Sequence, residues 1–138
     1  MNELSAKQLQ KYKKFDIPEL ISIASRHFNK YIRKRDSEDG YFKCISCGEC
    51  KPVEQMNAGH YLSAGHNGIL RFSEDNVHGQ CIYCNYHLHG NSGKYRVGLV
   101  EKIGVDKVEI LESTARMSHK WTREGLIMVI ETYKNKAK

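Results

Sequence analysis

A chain of 138 residues is long enough for one moderate core and too short for two independent ones, and with 40% hydrophobic and 28% charged residues its composition excludes a disordered protein. The 22 Lys and Arg against 16 Asp and Glu leave a net charge of +6, which favours a polyanionic partner. No apolar run approaches the roughly 18 residues of a membrane span, and the opening MNELSAKQLQKYKKF lacks a signal-peptide hydrophobic region, so a single cytoplasmic domain over 1–138 without membrane contact is expected.

Residues 1–15 are polar and lysine-rich and are expected as a mobile basic arm or a frayed helix. DIPEL then reads as a helix start, with Asp16 as N-cap, Pro18 in the first turn and Glu19 placed to close a capping box. Ile17, Leu20, Ala24, Phe28, Tyr31 and Ile32 recur at three and four residues, so the helix should run to about Arg35. DSEDG reads as a turn, and YFKCISCGEC as a hairpin-like knuckle whose Gly48 suits the reversal after a CxxC. Two short strands are expected at 56–63 and 69–72, around the loop SAGHNG. A short helical segment follows CIYCN and breaks near HGNSG; the helical pattern resumes at Lys94 and ends at Gly104 as a C-cap. VDKVEILEST reads as a further helix, and the chain closes with a helix capped by Thr122. The fold class is α+β, mainly helical.

The five cysteines are Cys44, Cys47, Cys50, Cys81 and Cys84. An odd number, in tight CxxC pairs and with no export signal, argues for metal ligation over a disulfide framework. Tetrahedral zinc takes four soft ligands, and Cys44, Cys47, Cys81 and Cys84 supply two from each turn, giving a structural zinc site with no open position for water. Cys50 is the odd one out, able to replace Cys47 but less well matched to the second pair's spacing. Chemistry, if it occurs, needs another site.

Between and just beyond the knuckles, His60 stands in AGHY, Asn76 five residues before Cys81, and Asn85 directly after Cys84. These positions resemble the ββα metal finger of the HNH nucleases, stapled here by the four-cysteine site and flanked by the N- and C-terminal helices. The resemblance implies His60 as general base, Asn76 as an orienting group, and Asn85 as a ligand for a catalytic Mg2+ or Mn2+. Two positions depart from the commonest form: Gly59 replaces an Asp that ligates the metal, and Asn85 replaces a His, the latter resembling a phage endonuclease that resolves Holliday junctions. Asn57, His66, His87 and His89 are the candidates to replace the missing ligand, with His87 favoured; His78 is expected to hydrogen-bond in the strand-to-knuckle turn.

FNKYIRKRD, CISCG, NAGHY, LRF, EDNVHGQCIYCNYHLHGN, YRVGLVEKIG and KWT together resemble the lambdoid phage NinG family, also called Rap, over roughly residues 27–133. A member of that family reads Asp where this chain has Asn57. The resemblance implies a metal-dependent, structure-selective endonuclease in a bacterial host, cutting Holliday junctions and displacement loops, as a homodimer and beside other phage recombination proteins. A non-catalytic zinc module that binds DNA, and an HNH nuclease acting on linear duplex, are the alternatives. Branched DNA is recognised by shape and backbone charge, and Arg33, Lys34, Arg35, Arg71, Lys94 and Arg96 are the candidate phosphate contacts, each also readable as a solvated cation. Tyr61 and Tyr95 are candidates either for stacking on an opened base or for the core.

Overall fold

Asp16 caps a helix as its sequence context predicts: its Oδ1 accepts from the Glu19 N–H at 2.9 Å, and Glu19 Oε1 accepts from the Asp16 N–H at 3.1 Å. The computed structural model describes residues 3–63 and 68–138, and backbone contacts divide the chain into two units, Met1–Tyr31 with Lys120–Lys138, and Ile32–His119.

The first unit is helical. Residues expected as a mobile arm or frayed helix contain α1 (Ala6–Lys11), closed by a capping box between Ser5 and Gln8. Its neighbour Tyr12 is buried, and both Gln8 and the Tyr12 hydroxyl donate to Glu131 of α5 (Arg123–Lys136); these tertiary bonds order a segment too short to be a stable helix alone. The predicted stripe of α2 (Ile17–Arg35) buries Leu20, Ala24 and Phe28 in this unit. Thr122 caps α5, accepting from the Gly125 N–H at 3.0 Å, and Leu126, Ile127, Ile130 and Tyr133 form its buried face. Phe28 meets Tyr133 edge-on, with ring centroids 4.7 Å apart.

The second unit takes the last turn of α2 and all the sheet structure. β1 (Ser37–Glu38), β2 (Tyr41–Lys43) and β3 (Cys50–Pro52) form an antiparallel sheet in that order. The first CxxC makes the turn between β2 and β3, and Gly48 adopts φ +76° there, as the expected reversal requires. β4 (Met56–His60) pairs antiparallel with β5 (Val77–Cys81), in register from Met56–Cys81 to His60–Val77.

That hairpin corrects one expectation. The second strand is Val77–Cys81, not 69–72, which lies in turns closed by bonds such as Arg71 N–H to the Gly68 carbonyl at 3.0 Å. The apolar alternation of Leu70 and Phe72 arises because both plug the core from a turn. After β5 comes one wide helical turn, Tyr83–His87, then α3 (Ser92–Ile103), two residues earlier than the pattern indicates, and α4 (Val105–Thr114) over the predicted residues. Gly104 stops α3 with φ +92°. Leu70, Tyr95, Leu99, Val108 and Leu111 pack as one cluster, and Phe42, Met56 and the ligand-type cysteines as another. The molecule is thus mixed α+β, and among the described residues no helix is long and apolar enough to cross a membrane.

Candidate functional site

The turn between β2 and β3 carries Cys44 and Cys47, and the end of β5 with the helical turn after it carries Cys81 and Cys84. β2, β3 and β5 bring the two pairs together: the four sulfurs all lie within 4.8 Å of one another, and Cys47 Sγ is 3.9 Å from Cys81 Sγ. A tetrahedral zinc with bonds of about 2.3 Å would hold its sulfurs about 3.8 Å apart. The four cysteines fit such an ion and can hold a metal such as zinc. Cys50 is exposed on β3 and outside the group.

Donors surround these sulfurs. The Cys81 N–H points at Cys44 Sγ at 3.3 Å, the Cys84 N–H at Cys81 Sγ at 3.4 Å, and Asn91 Nδ2 at Cys84 Sγ at 3.5 Å. Burial raises the Cys44 thiol, but the backbone N–H groups of Cys81, Cys47 and Ser46 outweigh it and leave the pKa below its usual value. Burial pushes Cys81 up to about 12 and raises Cys47. A cation held among the sulfurs reverses that tendency, since a coordinated thiol is deprotonated.

Beside this centre a cleft of about 380 Å³ lies between β4 and the segment that follows the second CxxC. Side chains of His60, Tyr61, Ser63, Asn85, His89 and Ser92 line it, with Gly59 and Gly90. His60, at the end of β4, has its Nε2 2.9 Å from the Arg71 carbonyl oxygen. Burial lowers its pKa, with the Arg71 carbonyl partly opposing. The neutral ring therefore donates from Nε2 and keeps its lone pair at Nδ1.

Asn76 is fully buried and accounts for the shape of the loop around His60. Its Oδ1 accepts from the Leu62 N–H at 2.9 Å, and its Nδ2 donates to the carbonyls of Leu62 and Leu70 at 2.9 and 3.2 Å. Those residues flank His60 and the Arg71 carbonyl that holds it, so Asn76 acts on the imidazole through backbone. His89 lines the cleft from a left-handed backbone, φ +51°. His87 is exposed, its ring against Tyr83 and Tyr86 with centroids at 5.7 and 5.2 Å, and is not among the cleft's lining residues. Asn57 is half-buried on β4, and His66 lies outside the described residues.

The absence of an acid at position 59 has a steric cause. A Cβ built on Gly59 would lie 2.1 Å from Gln80 Oε1 and 2.9 Å from Gln80 Cβ, so no side chain fits while Gln80 holds its place.

The candidate phosphate contacts divide. Arg33 and Lys34 are exposed at the end of α2, Lys94 is exposed in the first turn of α3, and Arg71 is half-buried. Arg35 turns inward: Nε and Nη2 donate to Asp36 at 2.7 and 2.9 Å, and Nη2 and Nη1 reach the carbonyls of Val77 and Glu74 at 2.7 and 3.0 Å. Arg96 is paired with Glu112 through two bonds of 2.8 and 3.0 Å. Both guanidinium groups are thus committed within the protein. Tyr95 is fully buried and donates to the Gly59 carbonyl at 2.7 Å, which makes it core; Tyr61 gives its hydroxyl to Glu112 at 2.6 Å.

Sequence reasoning passed over a buried polar cluster. His78 Nε2 donates to the Asp75 carbonyl at 2.8 Å, and its Nδ1 accepts from Lys102 Nζ at 2.8 Å, with Arg35 Nη2 3.1 Å away. Asp36 completes it, with Oδ1 3.2 Å from Lys102 Nζ and Oδ2 accepting from the Gly79 N–H at 2.8 Å. The members are spread over positions 35, 36, 78 and 102, and no local spacing links them. A larger groove of about 990 Å³, lined by residues including Tyr41, Cys50, Lys94 and Val97, contains none of His60, Asn76 or Asn85.

Comparison with known proteins bears on this arrangement. The family model described as "Bacteriophage Lambda NinG protein" matches residues 2–138. Protein ninG of Salmonella phage P22 is 40% identical over 118 residues, which is 86% of this chain and 56% of that protein; protein ninG of Escherichia phage lambda is 39% identical over 118 residues, 86% of this chain and 55% of that protein. The chain therefore spans about half the length of these curated relatives. No solved structure matches it.

Proposed function

Because the chain belongs to the bacteriophage lambda NinG family, we propose that it is a metal-dependent, structure-selective DNA endonuclease that cuts branched recombination intermediates, Holliday junctions and displacement loops among them, with His60 as its general base. The observation that carries the reading is the cleft whose walls His60, anchored through Nε2 on the Arg71 carbonyl, shares with Asn85. The order β4, β5, helical turn, α3 supports a ββα finger, and the four-cysteine centre lies at the end of its hairpin.

His60 Nδ1 takes a proton from the attacking water, the resulting oxygen nucleophile forms the new bond to phosphorus, the bond to the 3′ oxygen breaks, and the leaving oxygen takes a proton from solvent water. The imidazolium so formed still donates from Nε2 to the Arg71 carbonyl, which holds the ring in place and favours its charge. Asn76 keeps both ends of the surrounding loop at fixed distance. The cleft's neutral donors would suit only a loosely held divalent ion: the Asn85 carbonyl would supply a hard oxygen and an imidazole of the same segment, His89 in the cleft or His87 two residues beyond Asn85, a nitrogen, and no carboxylate lines the cleft among the described residues. The chemistry that Mg2+ or Mn2+ would supply there is neutralisation of charge on the phosphate and on the leaving oxygen.

The test compares nicking of a four-way junction and a linear duplex of the same sequence, with Mg2+, Mn2+ or chelator. Metal-dependent cutting of the junction in preference to the duplex is expected. Equal cutting of both would reduce the reading to a general nuclease, and tight junction binding without any cutting would leave a DNA-binding zinc module.

A further inference from the structure

The only buried residue of the helical turn Tyr83–His87 is the ligand-type Cys84. Around that anchor Ile82, Tyr83, Tyr86 and Leu88 are exposed, Tyr83 by 58% and Tyr86 by 72%, the latter more than any other large apolar side chain among the described residues. Tyr61 and Tyr95, by contrast, give their hydroxyls to Glu112 and to the Gly59 carbonyl. Both exposed phenols touch the His87 ring, with interplanar angles of 34° for Tyr83 and 87° for Tyr86, so the three rings form one array fastened to the second knuckle. Asn85, which lines the cleft, lies between the two tyrosines in the chain.

Charge says what such a face is suited to. From Asn76 to Val100 the chain has no Asp or Glu, although it carries 16 of them over 138 residues, and the exposed Lys94 falls in the same stretch. A polyanion therefore meets no carboxylate of this segment as it approaches. Exposed aromatic rings in an acid-free surface match the flat faces of nucleic-acid bases, which stack on them whatever the sequence. Inside a duplex both faces of each base are already covered; an unpaired base at a branch has a face to offer.

We propose that Tyr83 and Tyr86 are a stacking platform for unpaired bases at the branch point of DNA, adjoining the cleft at Asn85. The proposal rests on the reading that the cleft cuts branched DNA, and it names the part of the substrate that the protein recognises.

The experiment measures, without added Mg2+ or Mn2+, the affinity of the zinc-loaded full chain for a three-way junction with unpaired thymidines at its branch and for a linear duplex of equal length. Tyr83→Ala combined with Tyr86→Ala should weaken junction binding about tenfold or more, the scale of losing the stacking of one base, and leave duplex binding unchanged. Tyr83→Phe combined with Tyr86→Phe keeps both rings and should bind the junction as wild type does. Equal losses on junction and duplex, junction affinity unmoved by the two alanines, or a loss with phenylalanine as large as with alanine would each overturn the proposal. Should the alanine variant fail to fold, wild-type protein gives a second reading: 5-iododeoxyuridine at the unpaired positions should crosslink to Tyr83 or Tyr86 on irradiation, and a crosslink mapped only elsewhere would be equally fatal. Failure of the nuclease reading looks different. A junction bound with this dependence on the rings but never nicked once Mg2+ or Mn2+ is added keeps the platform and removes the catalysis, whereas wild-type protein that binds no DNA overturns both.

Discussion

His60 and Asn85 share a cleft but should fail differently when replaced. His60→Ala removes the lone pair that accepts a proton and leaves the hairpin register intact, so folding, zinc content and junction affinity should stay near wild type while cleavage falls by about a hundredfold or more. If Asn85 is a ligand as proposed, excess Mn2+ should recover part of the rate of Asn85→Ala, which it should not do for His60→Ala. Single-turnover cleavage across a Mn2+ series reads both; a His60→Ala protein that cuts at the wild-type rate would make the histidine a packing residue. Asn76 stands apart from both, since three bonds to the Leu62 and Leu70 backbone make it a residue of the loop's architecture. Asn76→Ala should lower stability as well as activity, because a buried set of backbone groups loses its partners.

At the level of elements, the metal-ligand pairs, the helix caps at Asp16 and Thr122 and the stop at Gly104 were legible because each depends on residues a few positions apart. β5 was not. VHGQC is buried along its whole length, so it shows no alternation, and His78 and Gln80 are polar residues whose partners lie at Arg35, Lys102, Ser46 and Gly90, far off in sequence. The inward turn of Arg35 was hidden for the same reason. That buried cluster predicts an acid sensitivity. Burial, then the charge of Lys102, lowers the His78 pKa to about 4, whereas the unfolded chain takes up that proton near its usual 6.5. The unfolded state thus binds more protons between those values; the stabilisation is complete above about pH 6.5 and is lost as pH falls through about 4, a change of at most about 3 kcal/mol. Asp36 adds a lower window. Burial opposes its ionisation, but bonds from Arg35 and Gly79 and the Lys102 charge hold its pKa at about 2, so its contribution of about 2 kcal/mol is present above pH 4 and disappears towards pH 2. Urea unfolding at pH 7, 5 and 4 with zinc in excess should show the first loss in wild type and a smaller one in His78→Gln; equal slopes in the two proteins would remove His78 as the cause.

For the whole molecule, the net charge of +6 and the exposed Arg33, Lys34 and Lys94 predict that junction binding weakens steeply with salt, the logarithm of affinity falling by about 0.9 per displaced counterion for each unit in log salt. Arg33→Glu with Lys34→Glu should flatten that slope, and a slope unmoved by both changes would take the end of α2 out of the interface. Arg35→Glu and Arg96→Glu test a different thing, because they break Asp36 and Glu112 pairs and should show first as lost stability. Symmetric cuts across a four-way junction need two clefts, so light scattering should find a dimer on the junction; paired cuts by a particle of one chain would exclude that arrangement.

The two CxxC turns bracket the hairpin, so His60 and Asn76 fall inside the loop that the four-cysteine centre closes, and Asn85 is the residue next to its final ligand. If the chain is the nuclease proposed above, ion capture by the four sulfurs would work as a licence: a metal that draws the two turns together would also fix the separation of His60 and Asn85. The expectation is that protein made without zinc would be unarmed, and that supplying the metal afterwards, without new synthesis, would be enough to switch it on.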